Sequence, residues 1–153
     1  MDTEFQTLGR RLVGEWTTEA THPALPGVLI TGSSRFEWLD GEQFLILRSH
    51  FDHPDIPDAL SILGEIDGLS MHYFDARGVS RLYALTAAGD AWSILMDQRA
   101  PGRSFAKRDA PFSQRVTYTL GPEDETMVGE GALSHDDVRW DDDLQIEFRR
   151  ARA

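Results

Sequence analysis

Val28–Trp38 (VLITGSSRFEW), then Leu39-Asp40-Gly41-Glu42, then Gln43–Phe51 (QFLILRSHF): this stretch decides the fold. In its first limb Ile30, Ser34, Phe36 and Trp38 share one face and Arg35 and Glu37 take the other, the period-two signature of a half-buried strand. Asp-Gly between the limbs favours the positive backbone angles of a tight hairpin turn. The pair therefore reads as two antiparallel strands. The second limb is ambiguous in facing, because Leu45, Leu47 and Phe51 compete with Phe44, Ile46, Arg48 and His50 for the inside.

Outward from this hairpin the same pattern repeats. Further strands are predicted over Gly14–His22, Leu60–Ile66, Leu69–Phe74, Val79–Thr86, Ala91–Asp97, Phe112–Leu120, Thr126–Leu133 and Asp143–Arg149. About ten short strands at regular spacing signal an all-β sandwich or barrel. Only the N-terminus reads as helix: Asp2 or Thr3 can cap it, and Phe5, Leu8 and Leu12 recur at helical spacing. The connections choose between the all-β forms. Asp40-Gly41, Asp67-Gly68, Ala88-Gly89-Asp90 and Gly121–Glu125 are tight, whereas Pro23–Gly27, His53–Asp58, Gln98–Pro111 and Ser134–Asp142 are long, and Asp75–Gly78 is short. In an up-and-down meander alternate connections share an end. The tight turns and the helix then close one end, and the long loops surround the other. The expectation is an all-β, about ten-stranded, antiparallel up-and-down β-barrel, one domain over 1–153, with a helix over 1–12 and the barrel over 14–150.

Composition limits the functions. The chain has 153 residues, no cysteine, 41% hydrophobic residues and a net charge of −11. A disulfide scaffold, zinc–thiolate sites and thiol chemistry are excluded. An acidic surface disfavours nucleic acid and anionic lipid as partners. The opening residues Met1–Leu12 show no apolar core of signal-peptide length, and no later stretch is long enough for a membrane span, so the expected setting is a bacterial-type cytoplasm. A monomer or a homodimer is expected. Nucleophile elbows, phosphate loops and dinucleotide fingerprints are absent. Gly129-Glu130-Gly131 lies within a strand and reads as a bulge or a place of close packing.

Alternation turns Trp16, Met71, Tyr73, Arg81, Tyr83, Trp92, Met96 and Gln114 inward. The candidate ligand-binding set is His22, Ser34, Phe36, Arg48, His50, Met71, Tyr73, Tyr83, Trp92, Met96, Gln114 and Trp140. Within it Trp92, Met96 and Trp140 are placed toward the open half, and Phe36 is read more as packing. Tyr73, Tyr83 and Arg48 are the candidates for acid–base work. His50, Asp52, His53 and Asp55 have metal-ligand types, but His50 and His53 point to opposite faces of a strand and Pro54 and Pro57 make the segment a loop. His22, His53 and His135 fall at the open end, where they could meet; no metal site is assigned. Arg99, Arg103, Lys107 and Arg108 make Gln98–Pro111 basic, either a lid for an anionic ligand or a partner for Asp136, Asp137, Asp141, Asp142 and Asp143.

Gly14-Glu15-Trp16, directly after the helix, resembles the glycine-x-tryptophan signature of lipocalin-like barrels, in which the Trp closes the base. Phe36–Leu45, Arg48, His53-Pro54-Asp55, Tyr73–Gly78, Arg81, Tyr83 and Phe112–Arg115 are together similar to a bacterial lipocalin-like (calycin) family of unknown function, over nearly the whole chain. The resemblance implies the fold and no activity. Nitrobindin-type and fatty-acid-binding-protein-like barrels are more distantly similar; the former hold haem iron through a late histidine, and the only late histidine here is His135. The reading is a barrel that binds a small, mainly apolar molecule with or without an anionic end, without a cofactor. The alternative is a cofactor-free enzyme of cyclase or isomerase type in the same cavity; a haem-binding barrel or a purely structural domain ranks below both.

Overall fold

A computed structural model describes residues 1–99 and 111–151. The helix α1 (Glu4–Leu12) is followed by β1 (Gly14–Thr21), β2 (Ile30–Trp38), β3 (Phe44–Phe51), β4 (Ala59–Glu65) and β5 (Leu69–Asp75). Then come β6 (Ser80–Ala88), β7 (Ala91–Met96), β8 (Ser113–Leu120), a 3₁₀ turn at Pro122–Asp124, β9 (Thr126–Ser134) and β10 (Asp141–Arg150). Each strand pairs antiparallel with its chain neighbours, and β1 pairs with β10, so the sheet closes into a barrel. All ten predicted strands are present, within about two residues at most boundaries. Among the described residues no helix is long and apolar enough to cross a membrane.

The helix begins at a capping box. Thr3 accepts from the Gln6 backbone N–H while the Gln6 side chain accepts from the Thr3 N–H. Its buried face, Phe5, Leu8, Gly9 and Leu12, plugs the end that carries the tight turns. Gly9 is required there, because a Cβ would collide with the Trp38 ring. Two arginines bind the plug to the turns. Arg11 donates to Asp124, Asp90 and the Gly89 carbonyl, and Arg10 pairs with Glu42 at 3.1 Å and with Asp2.

Trp16 closes the base as the Gly-x-Trp motif implies. It is wholly buried, donates its indole N–H to the Leu12 carbonyl at 2.9 Å, and lies under the Arg150 guanidinium, 3.9 Å from the ring centroid. Above it the interior is filled. Phe148 meets Trp16 edge-on, Tyr118 meets Phe148, Trp92 stacks on Tyr118 at 4.0 Å, and Phe36 meets Trp92 edge-on. Gly129 is where this layer needs space, since a Cβ would strike Ile146 and Tyr118. The close-packing reading of Gly129 holds.

Strand β3 resolves its ambiguity in favour of Leu45 and Leu47, which are buried, while Arg48 and His50 are exposed. Trp16 is the residue on which the closed end converges. Trp16→Ala should cost about 3–5 kcal/mol of unfolding free energy, measured by urea denaturation, with a smaller loss for Trp16→Phe; a loss below about 1 kcal/mol would contradict the assignment.

Candidate functional site

The open end carries a cavity of about 750 Å³. Leu25, Ile56, Pro57, Phe112, Leu133 and Leu144 give it apolar walls, and His22, Asp55, Arg77, Arg81, Gln114, His135 and Asp143 give it polar groups. The elements explain the mixture. His22 and Leu25 come from the β1–β2 loop, Asp55 and Ile56 from the β3–β4 loop, and Arg77 from the β5–β6 turn. Arg81, Gln114 and Leu144 are inward positions near the upper ends of their strands.

A hydrogen-bonded chain runs along the wall. Tyr83 donates its hydroxyl to Gln114 Oε1 at 2.6 Å, and Gln114 Nε2 donates to Asp143 Oδ2 at 2.7 Å. Asp143 Oδ1 lies 2.9 Å from His22 Nε2, and His22 Nδ1 accepts the Ala24 backbone N–H at 3.0 Å. The Ala24 contact uses the Nδ1 lone pair, so the proton of the neutral ring sits on Nε2 and is donated to Asp143. Asp143 is 7% exposed and owes its direction to a bulge in β10, where the register to β9 shifts between Asp142 and Gln145. Strict alternation would send one of Asp143 and Leu144 outward; the extra residue lets both face the cavity. The sequence places Asp143 in an acidic loop with Asp141 and Asp142, and nothing in the local pattern marks the bulge.

A second cluster lies beside the chain. Tyr73 donates to Asp75 at 2.8 Å, and Asp75 pairs with Arg77 at 2.7 Å. Burial and the Asp75 carboxylate push the Tyr73 phenol well above its ordinary pKa. Burial raises Asp75 too, but the hydrogen bonds from Arg77 and Tyr73 outweigh it, and the net shift is downward. The Arg81 guanidinium lies 5.8 Å from the Tyr73 ring centroid and 5.2 Å from that of Phe112. Burial also raises the Tyr83 phenol, against the opposing charge and hydrogen bond of Arg81. Both inward tyrosines therefore stay protonated at neutral pH and act as donors.

The predicted residues separate into three groups. His22 and Gln114 line the cavity, and Tyr73 and Tyr83 stand with its polar groups. Ser34, Phe36, Met71, Trp92 and Met96 are buried in the packed interior and do not line the cavity. Trp92 is corrected in level as well: it follows the Gly89-Asp90 turn at once, so it lies in the closed half. Arg48, His50 and Trp140 are outside the cavity. Arg48 reaches toward Glu37 at 3.5 Å on the outer face, and Trp140 packs under the outward Arg115. Arg48 thus has no access to Tyr73 or Tyr83.

His50 sits between two carboxylates on the outer face, with Nδ1 2.8 Å from Asp58 and Nε2 2.9 Å from Asp52. His53 turns to the Asp55 backbone N–H, as the loop reading requires. His22 and His135 share the cavity without His53, and among the described residues no three His, Asp or Glu side chains are grouped to hold a metal. His135 is exposed on the rim, beside the Pro111 carbonyl and the Phe112 ring. Trp92, Tyr118 and their neighbours fill the interior below. Of the basic loop, residues 100–110, with Arg103, Lys107 and Arg108, lie outside the described residues. Arg99 pairs with Asp97 at 3.1 Å and with Asp137 at 3.4 Å, so its described edge does meet the acidic loop.

No protein-family model matches the sequence, and no curated protein is significantly similar to it. In structure the chain is similar to the crystal structure of Rv2717c from M. tuberculosis, with a TM-score of 0.69 and 15% identity over 99% of both chains. Looser similarity extends to redesigned β-barrels: b11L5F_LGL, TM-score 0.46, 11% identity, 95% of this chain and 96% of that one, and mFAP1 bound to DFHBI, TM-score 0.44, 10% identity, 94% and 98%. At these identities the likeness is one of fold.

Two measurements test the geometry. Asp143→Ala leaves Gln114 and His22 without their shared acceptor and should cost about 1–3 kcal/mol of stability, whereas Asp142→Ala, on the exposed side of the bulge, should cost under about 0.5 kcal/mol. The His50 pKa is raised by hydrogen bonds and charge from Asp52 and Asp58. Because the folded pKa is the higher one, its contribution is complete below the ordinary histidine value and is lost as pH rises through the folded pKa. A ¹H–¹⁵N titration should show His50 deprotonating above a peptide histidine, and Asp58→Asn should lower that midpoint.

Proposed function

We propose that the chain is a lipocalin-like binding barrel whose open-end cavity holds a small, mainly apolar molecule with an anionic end. One observation carries this: a cavity of about 750 Å³ lies inside the common range for small-molecule sites, and its apolar walls converge on a few fixed polar groups. Leu25, Ile56, Phe112, Leu133 and Leu144 suit a hydrocarbon or ring. Arg81, held between the Tyr73 and Phe112 rings, supplies positive charge at the cavity wall in a chain of net −11, while the charge of Arg77 is matched by Asp75. Asp143, the carboxylate nearest Gln114, already receives two donors from the protein. A planar guanidinium suits a carboxylate or a similar oxyanion.

The acid–base alternative draws less support. Both ring nitrogens of His22 are engaged, and the two inward tyrosines are shifted away from the range in which a phenol acts as a base at neutral pH. The cavity is better supplied with donors that orient a bound group than with one that removes a proton.

Decanoate and decanol, equal in chain and different in end group, test the reading by calorimetry. Decanoate should bind more tightly than decanol. Arg81→Gln should weaken decanoate about tenfold, the loss of one charge-assisted contact, and leave decanol nearly unchanged. Equal binding of both would remove the anionic end, and no binding of either at millimolar concentration would overturn the proposal. A Soret band in the purified protein would assign the cavity to haem instead.

A further inference from the structure

Resting on the binding cavity assigned above, we propose that Tyr118 is its floor donor and that the ligand is an anion whose buried tail carries a carbonyl or ether oxygen. The chain has three tyrosines, and two of their hydroxyls are already committed, Tyr73 to Asp75 and Tyr83 to Gln114. The Tyr118 hydroxyl has no hydrogen-bond partner among the described residues. Its ring is nevertheless fixed. It stacks on Trp92 at 4.0 Å, meets the Phe148 ring at 6.1 Å and lies against Gly129, where a Cβ would strike it. An enclosed polar group held this firmly normally has a partner, so an unpaired one calls for an explanation.

Register places the hydroxyl under the cavity. Gln114, Val116 and Tyr118 alternate inward along β8, and Gln114 lines the cavity. Gly131 and Gly129, the cross-strand partners of Val116 and Tyr118, put no side chain beside them. Val116 and Tyr118 keep partial exposure, although they face the interior and Trp92, Ile94 and Met96 on the next strand have almost none. Space therefore continues from Gln114 down β8 to Tyr118, the top of the aromatic layer. Burial raises the Tyr118 phenol and the Tyr83 oxygen raises it further, so the hydroxyl end of the ring is turned toward Tyr83 and the cavity wall. The stacked Trp92 brings a second donor, since its buried indole N–H is also unpartnered. A hydrocarbon tail would leave both donors unpaired, whereas an oxygen acceptor on the tail satisfies one or both. Gln114 and Tyr118 are four residues apart, about 13 Å along the strand, and the Tyr118 ring takes up part of that length. The acceptor thus lies several carbons from the anionic end at Arg81.

Calorimetry with octanoate and decanoate against 7-oxooctanoate and 9-oxodecanoate tests this, the two lengths spanning the reach of the ring. At least one oxo acid should bind about three- to tenfold more tightly than its parent, the worth of one neutral hydrogen bond, and Tyr118→Phe should bring that ratio to one. Arg81→Gln should weaken parent and oxo acid alike. Tyr118→Phe keeps the ring and its stack, so its urea midpoint should match the wild type. Tyr83→Phe leaves Gln114 Oε1 without its donor and should lower the midpoint. An equal drop in both variants would mean that a fixed water already pairs Tyr118 and would overturn the proposal. Parent acids that bind and are weakened by Arg81→Gln, with no preference for either oxo acid, would overturn it while leaving the cavity reading in place. Failure of all four acids to bind would overturn both.

Discussion

The pairing of β1 with β10 is the constraint on which the rest of the structure depends. An open ten-strand sheet would leave two edges and no interior; closure removes both. The seam runs from Trp16 opposite Arg150 to Thr21 opposite Gln145. Arg150 secures its lower end. Its guanidinium covers Trp16 and donates to the Val13 carbonyl at 2.7 Å, to the Arg11 carbonyl, and to the Asp124 carbonyl at 3.0 Å. One side chain from the last strand thereby joins the helix end, the first strand and the β8–β9 turn. The upper end of the seam brings Asp143 of β10 to His22 at the end of β1, so closure also assembles the cavity wall.

The two ends of the barrel then divide the work. Near the helix, large side chains fill the interior, and packing density leaves no room for a guest. Near the loops, polar inward residues replace them: Gln114 bonds Tyr83 and Asp143. Such groups are stable in a partly enclosed space because each is satisfied by another. The cavity exists where the aromatic layer stops.

Much of this is legible in the residues. The tight turns at Asp40-Gly41, Asp67-Gly68 and Gly89-Asp90 alternate with longer connections, and that alternation alone separates a closed end from an open one. Trp16, Tyr73, Tyr83 and Gln114 follow from period two. What period two does not reach has physical causes. Trp92 lies in the closed half because it directly follows the Gly89-Asp90 turn. The facing of Arg48 and His50 is not decided by the pattern, because both faces of β3 are apolar and periodicity cannot choose between two apolar faces. Asp143 escapes the alternation because the bulge between Asp142 and Gln145 breaks it.

The account turns on the open-end cavity being where a ligand sits, and backbone NMR read during a decanoate titration tests it most directly. The amides of His22, Arg81, Gln114 and Asp143 should shift together and saturate at one concentration, while those of Leu8, Arg11, Gly41 and Gly89 at the closed end stay in place. Saturable shifts confined to the helix end or to the outward residues of β1 and β10 would contradict it.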